Sequence, residues 1–117
     1  MSKVLDELKT GVTSAILAAE HPSDPTYNPA GLSEREAWLE VAEHEEAIVR
    51  EIAPDDVDNA RGRELAQRGA VRACMHAGDF EGARALARAY SEGEPGSPKH
   101  RDMLADLLQR AEEGRAP

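Results

Sequence analysis

The sequence predicts an all-α fold, a single domain of five helices over residues 1–117. Apolar residues recur every three to four positions along five segments, a spacing typical of amphipathic helices. β-branched residues are sparse and never alternate over the length of a strand. Helix start and stop signals separate the five segments. We therefore expect helices near residues 3–20, 33–53, 59–77, 80–92 and 98–113.

The first helix is followed by a long loop. The helix ends where His21 precedes Pro22, because a residue before proline is disfavoured in the helical region. Residues 21–32 form the loop, which several prolines stiffen. Tyr27 is its expected anchor, with the ring packed on the domain and the hydroxyl in water.

The second helix carries the strongest start signal and the most suggestive histidine. Ser33 and Glu36 have the spacing of a capping box. A Glu-x-x-His metal motif is absent, because Val41 stands three residues before His44. We interpret His44 as a histidine at the edge of the core, and we expect no metal or other cofactor. The remaining histidines stand near helix ends, where they are expected to cap carbonyls or interact with the dipole: His21, His76 and His100.

The third helix is marked by small residues. Residues 54–60 form the loop before it, and Asp55, Asp56 or Asp58 starts the helix, with the choice left open. Small residues three or four apart then line one face, which lets a neighbouring helix approach closely. These residues are Gly62, Ala66, Gly69, Ala70, Ala73 and Ala77.

Turn residues define the last two helices. Gly78 is a helix stop that favours the left-handed conformation, and Asp79 can cap the next helix. Ser97 followed by Pro98 starts the last helix, since proline is favoured at the first helical position. Residues 59–95 are thus expected to form a helical hairpin on which the rest of the chain packs.

The stretch from Gly62 to Pro95 resembles a tetratricopeptide repeat. In that family a helix ends in Gly-Asp-aromatic, an Ala follows three residues later, and a Pro closes a unit of about 34 residues. Those positions are Gly78, Asp79, Phe80, Ala83 and Pro95 here. The family's Trp and two of its small residues are replaced by Gln67, Val71 and Tyr90. One unit fits and an array normally needs at least three, so the resemblance implies a single tetratricopeptide-like hairpin that holds other proteins.

Charge and composition exclude several classes of function. The formal net charge is −9, and residues 1–58 hold 14 acidic against 4 basic residues. Such an acidic surface repels nucleic acid and anionic membranes. There is no apolar run long enough to span a membrane and no secretory signal. The single cysteine, Cys74, cannot form an internal disulfide, and together these features favour the cytoplasm.

The favoured function is a small protein–protein interaction module, such as an adaptor, chaperone or assembly subunit. No phosphate-binding loop, paired metal-ligand cysteines or nucleophile elbow supports an enzyme. We expect the partner to be another protein or a peptide. Four arginines form a basic strip that could clamp an acidic or carboxylate-ended peptide: Arg68, Arg72, Arg84 and Arg88.

Two alternatives remain open. The first is an acidic inhibitor, such as a phage-type decoy, that mimics nucleic acid and blocks a nucleic-acid-binding protein. Its face would be formed by Glu34, Glu36, Glu40, Glu43, Glu46 and Asp55. The second is a structural homo-oligomer, in which another copy completes the thin core.

Overall fold

A computed structural model describes residues 3–93 and 96–117, and these residues form five α-helices with no strand. The helices are α1 (Lys3–Glu20), α2 (Glu34–Glu51), α3 (Ala60–His76), α4 (Phe80–Gly93) and α5 (Pro98–Glu112). The all-α fold and all five helices are thereby confirmed. Pro95, which closes the tetratricopeptide-like pattern, lies outside the described residues. The Cα atoms extend over 41 × 39 × 17 Å, so the domain is a flat slab.

Two helix starts follow the expected capping chemistry. The Glu36 amide donates to the Ser33 hydroxyl at 3.1 Å, and the Ser33 amide donates to the Glu36 carboxylate at 3.2 Å. This is a complete capping box at the start of α2. At α5 the His100 amide donates to the Ser97 hydroxyl at 3.2 Å, with Pro98 at the first helical position.

The turn between α3 and α4 depends on Gly78. Its φ is +78°, a conformation that costs glycine little. The Gly78 amide donates to the Met75 carbonyl at 3.0 Å, and the Asp79 amide donates to the Cys74 carbonyl at 2.8 Å. These two bonds make a Schellman motif. Asp79 then caps α4 by accepting from the Gly82 amide at 3.0 Å.

The start of α3 differs from the expectation. Asn59 stands at the N-cap position, although its side chain makes no capping hydrogen bond, so the prediction that Asp55, Asp56 or Asp58 starts the helix is wrong. The Asp56 carboxylate instead accepts from the Asn59 backbone amide at 3.2 Å and from its side-chain amide at 2.7 Å. The aspartate therefore orders the loop before the helix rather than its first turn.

The loop of residues 21–32 is anchored by Asn28 and not by Tyr27. Asn28 is 4% exposed, whereas Tyr27 is 42% exposed. The Asn28 side chain donates to the carbonyls of Pro22 and Leu32 at 2.8 Å each, and it accepts from the Leu32 amide at 3.1 Å. The Tyr27 ring lies on the surface against His21, with centroids 4.8 Å apart. A side-chain amide offers two N–H donors and a carbonyl acceptor, whereas a phenol has a single O–H donor.

The small residues of α3 face α2. A Cβ built at Gly62 would touch the Ile52 side chain at 3.9 Å, and one built at Gly69 would collide with the Glu45 carboxyl group. Ala70 and Ala73 on the same face are buried. The expectation that this face admits a close neighbour is met, and that neighbour is α2.

Hydrogen bonds at both ends fix the direction of α2 against α3. Arg35 at the start of α2 donates to the Ala77 carbonyl at the end of α3, at 2.5 Å. Arg63 at the start of α3 donates to the Ile52 carbonyl at the end of α2, at 3.1 Å. The two helices are therefore antiparallel. The main core contains few large side chains and is filled by residues from all five helices, among them Ala15, Val41, Val71, Ala83 and Leu104.

Candidate interaction groove between α3 and α5

The first turns of α3 and α5 are joined by polar side chains. The Glu64 carboxylate accepts from the Ser97 amide at 2.9 Å and from its hydroxyl at 3.2 Å. One turn further on, Nε2 of His100 lies 2.7 Å from Oε1 of Gln67. An open groove, lined by residues of both helices, lies beside these contacts.

The groove has two adjoining parts. The larger cavity has a volume of about 440 Å³ and the smaller about 280 Å³, and they share Lys99 and Met103. The larger is lined by Arg72, Lys99, Asp102, Met103, Asp106, Leu107, Arg110 and Pro117. The smaller is lined by Arg61, Glu64, Arg68, Ser97, Lys99, His100 and Met103. We call these two cavities together the α3–α5 groove.

Cations outnumber free carboxylates along the groove. Its five basic residues are Arg61, Arg68, Arg72, Lys99 and Arg110. Of its three acidic residues, Glu64 is bonded to Ser97, and Asp106 lies 3.0 Å from Nε of Arg110. Asp102 has no such partner among the described residues. Five cations against three carboxylates leave a net positive charge, so the groove attracts negative charge in a chain whose net charge is −9.

His100 is buried within a polar network, at 3% exposure. Its Nδ1 lies 2.8 Å from Nη1 of Arg68. Because a guanidinium only donates, Nδ1 must accept, and the imidazole proton resides on Nε2 and is donated to Gln67. The hydrogen-bond network thus assigns a neutral histidine. Burial lowers the pKa of His100, Arg68 and Arg63 lower it further, and the charge of Glu64 opposes them.

Two other groups of the network have shifted pKa values. Burial opposes the ionisation of Glu64, but the hydrogen bonds from Ser97 and the nearby charge of Arg68 lower its pKa overall. The pKa of Arg68 is lowered by burial and by the charges of Arg72 and Arg61, against the opposing charge of Glu64. Nε of Arg68 is buried and has no hydrogen-bond partner among the described residues.

Two of the four arginines of the predicted strip, Arg68 and Arg72, line the groove. Arg84 donates to the Ala111 carbonyl at 3.3 Å, and Arg88 lies 3.9 Å from the exposed carboxylate of Glu112. Ala111 and Glu112 stand at the C-terminal end of α5, and neither lines the groove. The structure therefore places one pair of the strip in the groove and the other pair outside it.

The roles of His100 and Gln67 were not predicted from the sequence. His100 was expected to cap a helix end, but its ring is bonded to two side chains of α3. Gln67 is 6% exposed. The available signal was this polar residue at the position where the resemblance to a tetratricopeptide repeat would place a Trp.

Neither a metal site nor a membrane-spanning helix is found in the part of the chain that the structure describes. Residues 3–93 and 96–117 contain no group of three or more metal-ligating side chains. None of the helices in that part of the chain is long and apolar enough to cross a membrane. Comparison of the chain with protein-family models, curated proteins and solved structures found no match.

Proposed function

We propose that this chain is a non-catalytic protein–protein interaction module that binds an acidic peptide segment of its partner in the α3–α5 groove. Such a module would act as an adaptor, chaperone or assembly subunit. We place it in the cytoplasm, a setting that suits its buried free thiol, Cys74.

The proposal rests on the position of Arg72 and on its lack of partners among the described residues. It lines the larger cavity and makes no hydrogen bond or ion pair with any residue that the structure describes. A free guanidinium at the wall of a groove can bind a carboxylate through two parallel hydrogen bonds. Arg68, in contrast, is already bonded to His100, so we assign it to shaping the groove and to its positive potential.

The groove also offers an apolar surface. Met103 and Leu107 of α5 line the larger cavity beside Arg72 and Lys99. A cation-lined groove with an apolar floor suits a segment in which an apolar side chain is flanked by Asp or Glu. Methionine adapts to side chains of different shape, so the floor can accept more than one apolar residue.

A fluorescence anisotropy titration tests the proposal. The probe is a fluorescein-labelled peptide with one Leu flanked by Asp and Glu, and the comparison peptide carries Asn and Gln instead. We expect Arg72→Gln to weaken binding of the acidic peptide at least about tenfold, or 1.4 kcal/mol, and to leave the amide peptide unaffected.

Arg101→Gln is the matched control. It removes the same charge from an exposed position of α5 that does not line the groove. Equal weakening by both substitutions would show that net charge, and not the groove, governs binding. Absence of binding to the wild-type chain would contradict the proposal.

A second candidate function is the acidic decoy. Glu36, Glu40 and Glu43 lie on one exposed stripe of α2, and Asp55 is exposed at the loop after it. Such a face suits a basic, nucleic-acid-binding partner. Its affinity would fall steeply as salt rises, and it would be lost on Glu40→Gln/Glu43→Gln but retained on Arg72→Gln.

A further inference from the structure

The loop between α2 and α3 presents an apolar side chain among carboxylates. Val57 is 86% exposed, the largest exposed fraction among the large hydrophobic residues that the structure describes. Asp55, Asp56 and Asp58 flank it in sequence. A valine displayed in this way contributes nothing to the core of its own copy.

The loop is ordered in its exposed position. The Asp56 amide donates to the Ala53 carbonyl at 3.1 Å, and the Asp56 carboxylate holds Asn59. The Ala60 amide lies 3.4 Å from the Val57 carbonyl. Because these contacts fix the backbone before any partner arrives, docking of the loop costs little conformational entropy.

We propose that this loop docks into the α3–α5 groove of a second copy of the chain. The inference rests on the proposed function, since it names an occupant of the same groove. Val57 would pack on Met103 and Leu107. The exposed carboxylates of Asp55 and Asp58 would meet the cations of the groove walls, chiefly Arg72.

The occupant has to come from another copy. The loop precedes Ala60, and Arg72 lies 12 residues further along α3, or about 18 Å away at the helical rise. The loop therefore cannot reach the larger cavity of its own chain. The net charge of −9 opposes association at low ionic strength, so we expect self-association to be weak and to rise with protein concentration.

Sedimentation velocity in 0.15 M salt, from micromolar to about millimolar chain, tests the proposal. The wild-type chain is expected to gain mass with concentration. Val57→Ser and, separately, Arg72→Gln should each raise the dissociation constant at least about tenfold. Val4→Ser is the matched control, because Val4 is 50% exposed on α1 and lies outside both loop and groove.

The outcomes separate this inference from the proposed function. A chain that stays monomeric but binds the acidic peptide overturns self-docking and leaves the proposed function standing. Association that Val57→Ser leaves unchanged also overturns self-docking. Association weakened by Val57→Ser and by Arg72→Gln, but not by Val4→Ser, supports it, and circular dichroism confirms that each variant is folded.

Discussion

The two sides of α3 bury polar groups in opposite ways. Towards α2, the Glu45 carboxylate is half-buried over Gly69 and makes no hydrogen bond or ion pair with the described residues. Towards α5, His100 is more deeply buried, but both its ring nitrogens have partners, Arg68 and Gln67. We therefore expect hydrogen-bond partners, more than depth of burial, to decide what each polar group costs the fold.

Glu45 and His100 also change the stability of the fold with pH in opposite directions. Burial raises the pKa of Glu45 to about 7 from its ordinary 4.5, whereas the pKa of His100 is lowered. Between pH 4.5 and pH 7, Glu45 keeps its proton in the folded chain but loses it in the unfolded chain. The contribution of Glu45 to stability therefore falls as the pH rises through this range. Below pH 6.5, His100 gains a proton more readily in the unfolded chain than in the folded chain, so its contribution to stability falls as the pH falls.

The largest expected change in unfolding free energy comes from His100, on the side of α3 where the buried polar groups have hydrogen-bond partners. His100→Ala leaves Gln67 and Arg68 without their partner and opens a cavity, so we expect a loss of about 2–4 kcal/mol in unfolding free energy. Urea denaturation at pH 7.5 measures it. The double variant Gln67→Leu/His100→Leu fills the cavity with apolar groups and leaves only Arg68 of the network without its partner, so it should lose less than His100→Ala alone. A larger loss in the double variant would contradict the view that unmet hydrogen bonds dominate.

The next largest effect is expected from a substitution that tests how tightly α2 and α3 pack. This close packing keeps Glu45 from water. Ala73 is 2% exposed on the small-residue face, whereas Ala89 is exposed on α4. Ala73→Leu is expected to lower the unfolding free energy by about 1–3 kcal/mol because the core cannot admit the added bulk. Ala89→Leu, the control, should change it by less than about 0.5 kcal/mol. Equal melting temperatures for the two variants would show that the interface is loose.

A smaller effect of the opposite sign is expected at Glu45. The full pKa change would correspond to about 3 kcal/mol, and partial exposure of the carboxylate to water reduces this to about 1 kcal/mol. Glu45→Gln should therefore stabilise the domain by about 1 kcal/mol at pH 8, and by less at pH 5, where the wild-type carboxyl is protonated. A gain that does not depend on pH would assign the effect to packing. Glu43→Gln, at an exposed position of the same helix, is the control.

The smallest effect is expected on the acid side of the stability profile. His100 contributes a loss of stability that begins as pH falls below 6.5. Both proteins keep Glu45, so the difference between their thermal melts at pH 7 and pH 5 isolates His100: on going from pH 7 to pH 5, the wild type should lose stability relative to Gln67→Leu/His100→Leu. Parallel profiles for the two proteins would mean that His100 does not titrate differently in the folded and unfolded chains.

The helices could be predicted because their signals are local. Ser33 and Glu36, Gly78, and Ser97 with Pro98 each act within a few residues, and all perform their expected roles. The anchor of the first loop was missed, since hydropathy favours a ring over the amide of Asn28. An amide's three hydrogen bonds to its own loop leave no mark in a hydrophobic pattern.

The candidate site was harder to predict because it joins residues that are distant in sequence. Gln67 and His100 are 33 residues apart in the sequence. Taken alone, each is a polar residue that would be predicted to lie on the surface. How far each arginine of α3 and α4 lies along its helix from the turn between them could be estimated from the sequence, by assuming a helical hairpin. The position of α5, which contacts both helices and divides the arginines into two pairs, could not.

The order of helix contacts along the chain has a consequence for folding. Each helix contacts its neighbours in sequence, and among the described residues α3 with α5 is the one contacting pair that skips a helix. Chains dominated by local contacts close short loops and fold within microseconds to milliseconds. The α3–α5 contact has to wait until α4 has folded back between them. We therefore expect the groove to be the last part of the domain to form, and the first to open in native-state hydrogen exchange.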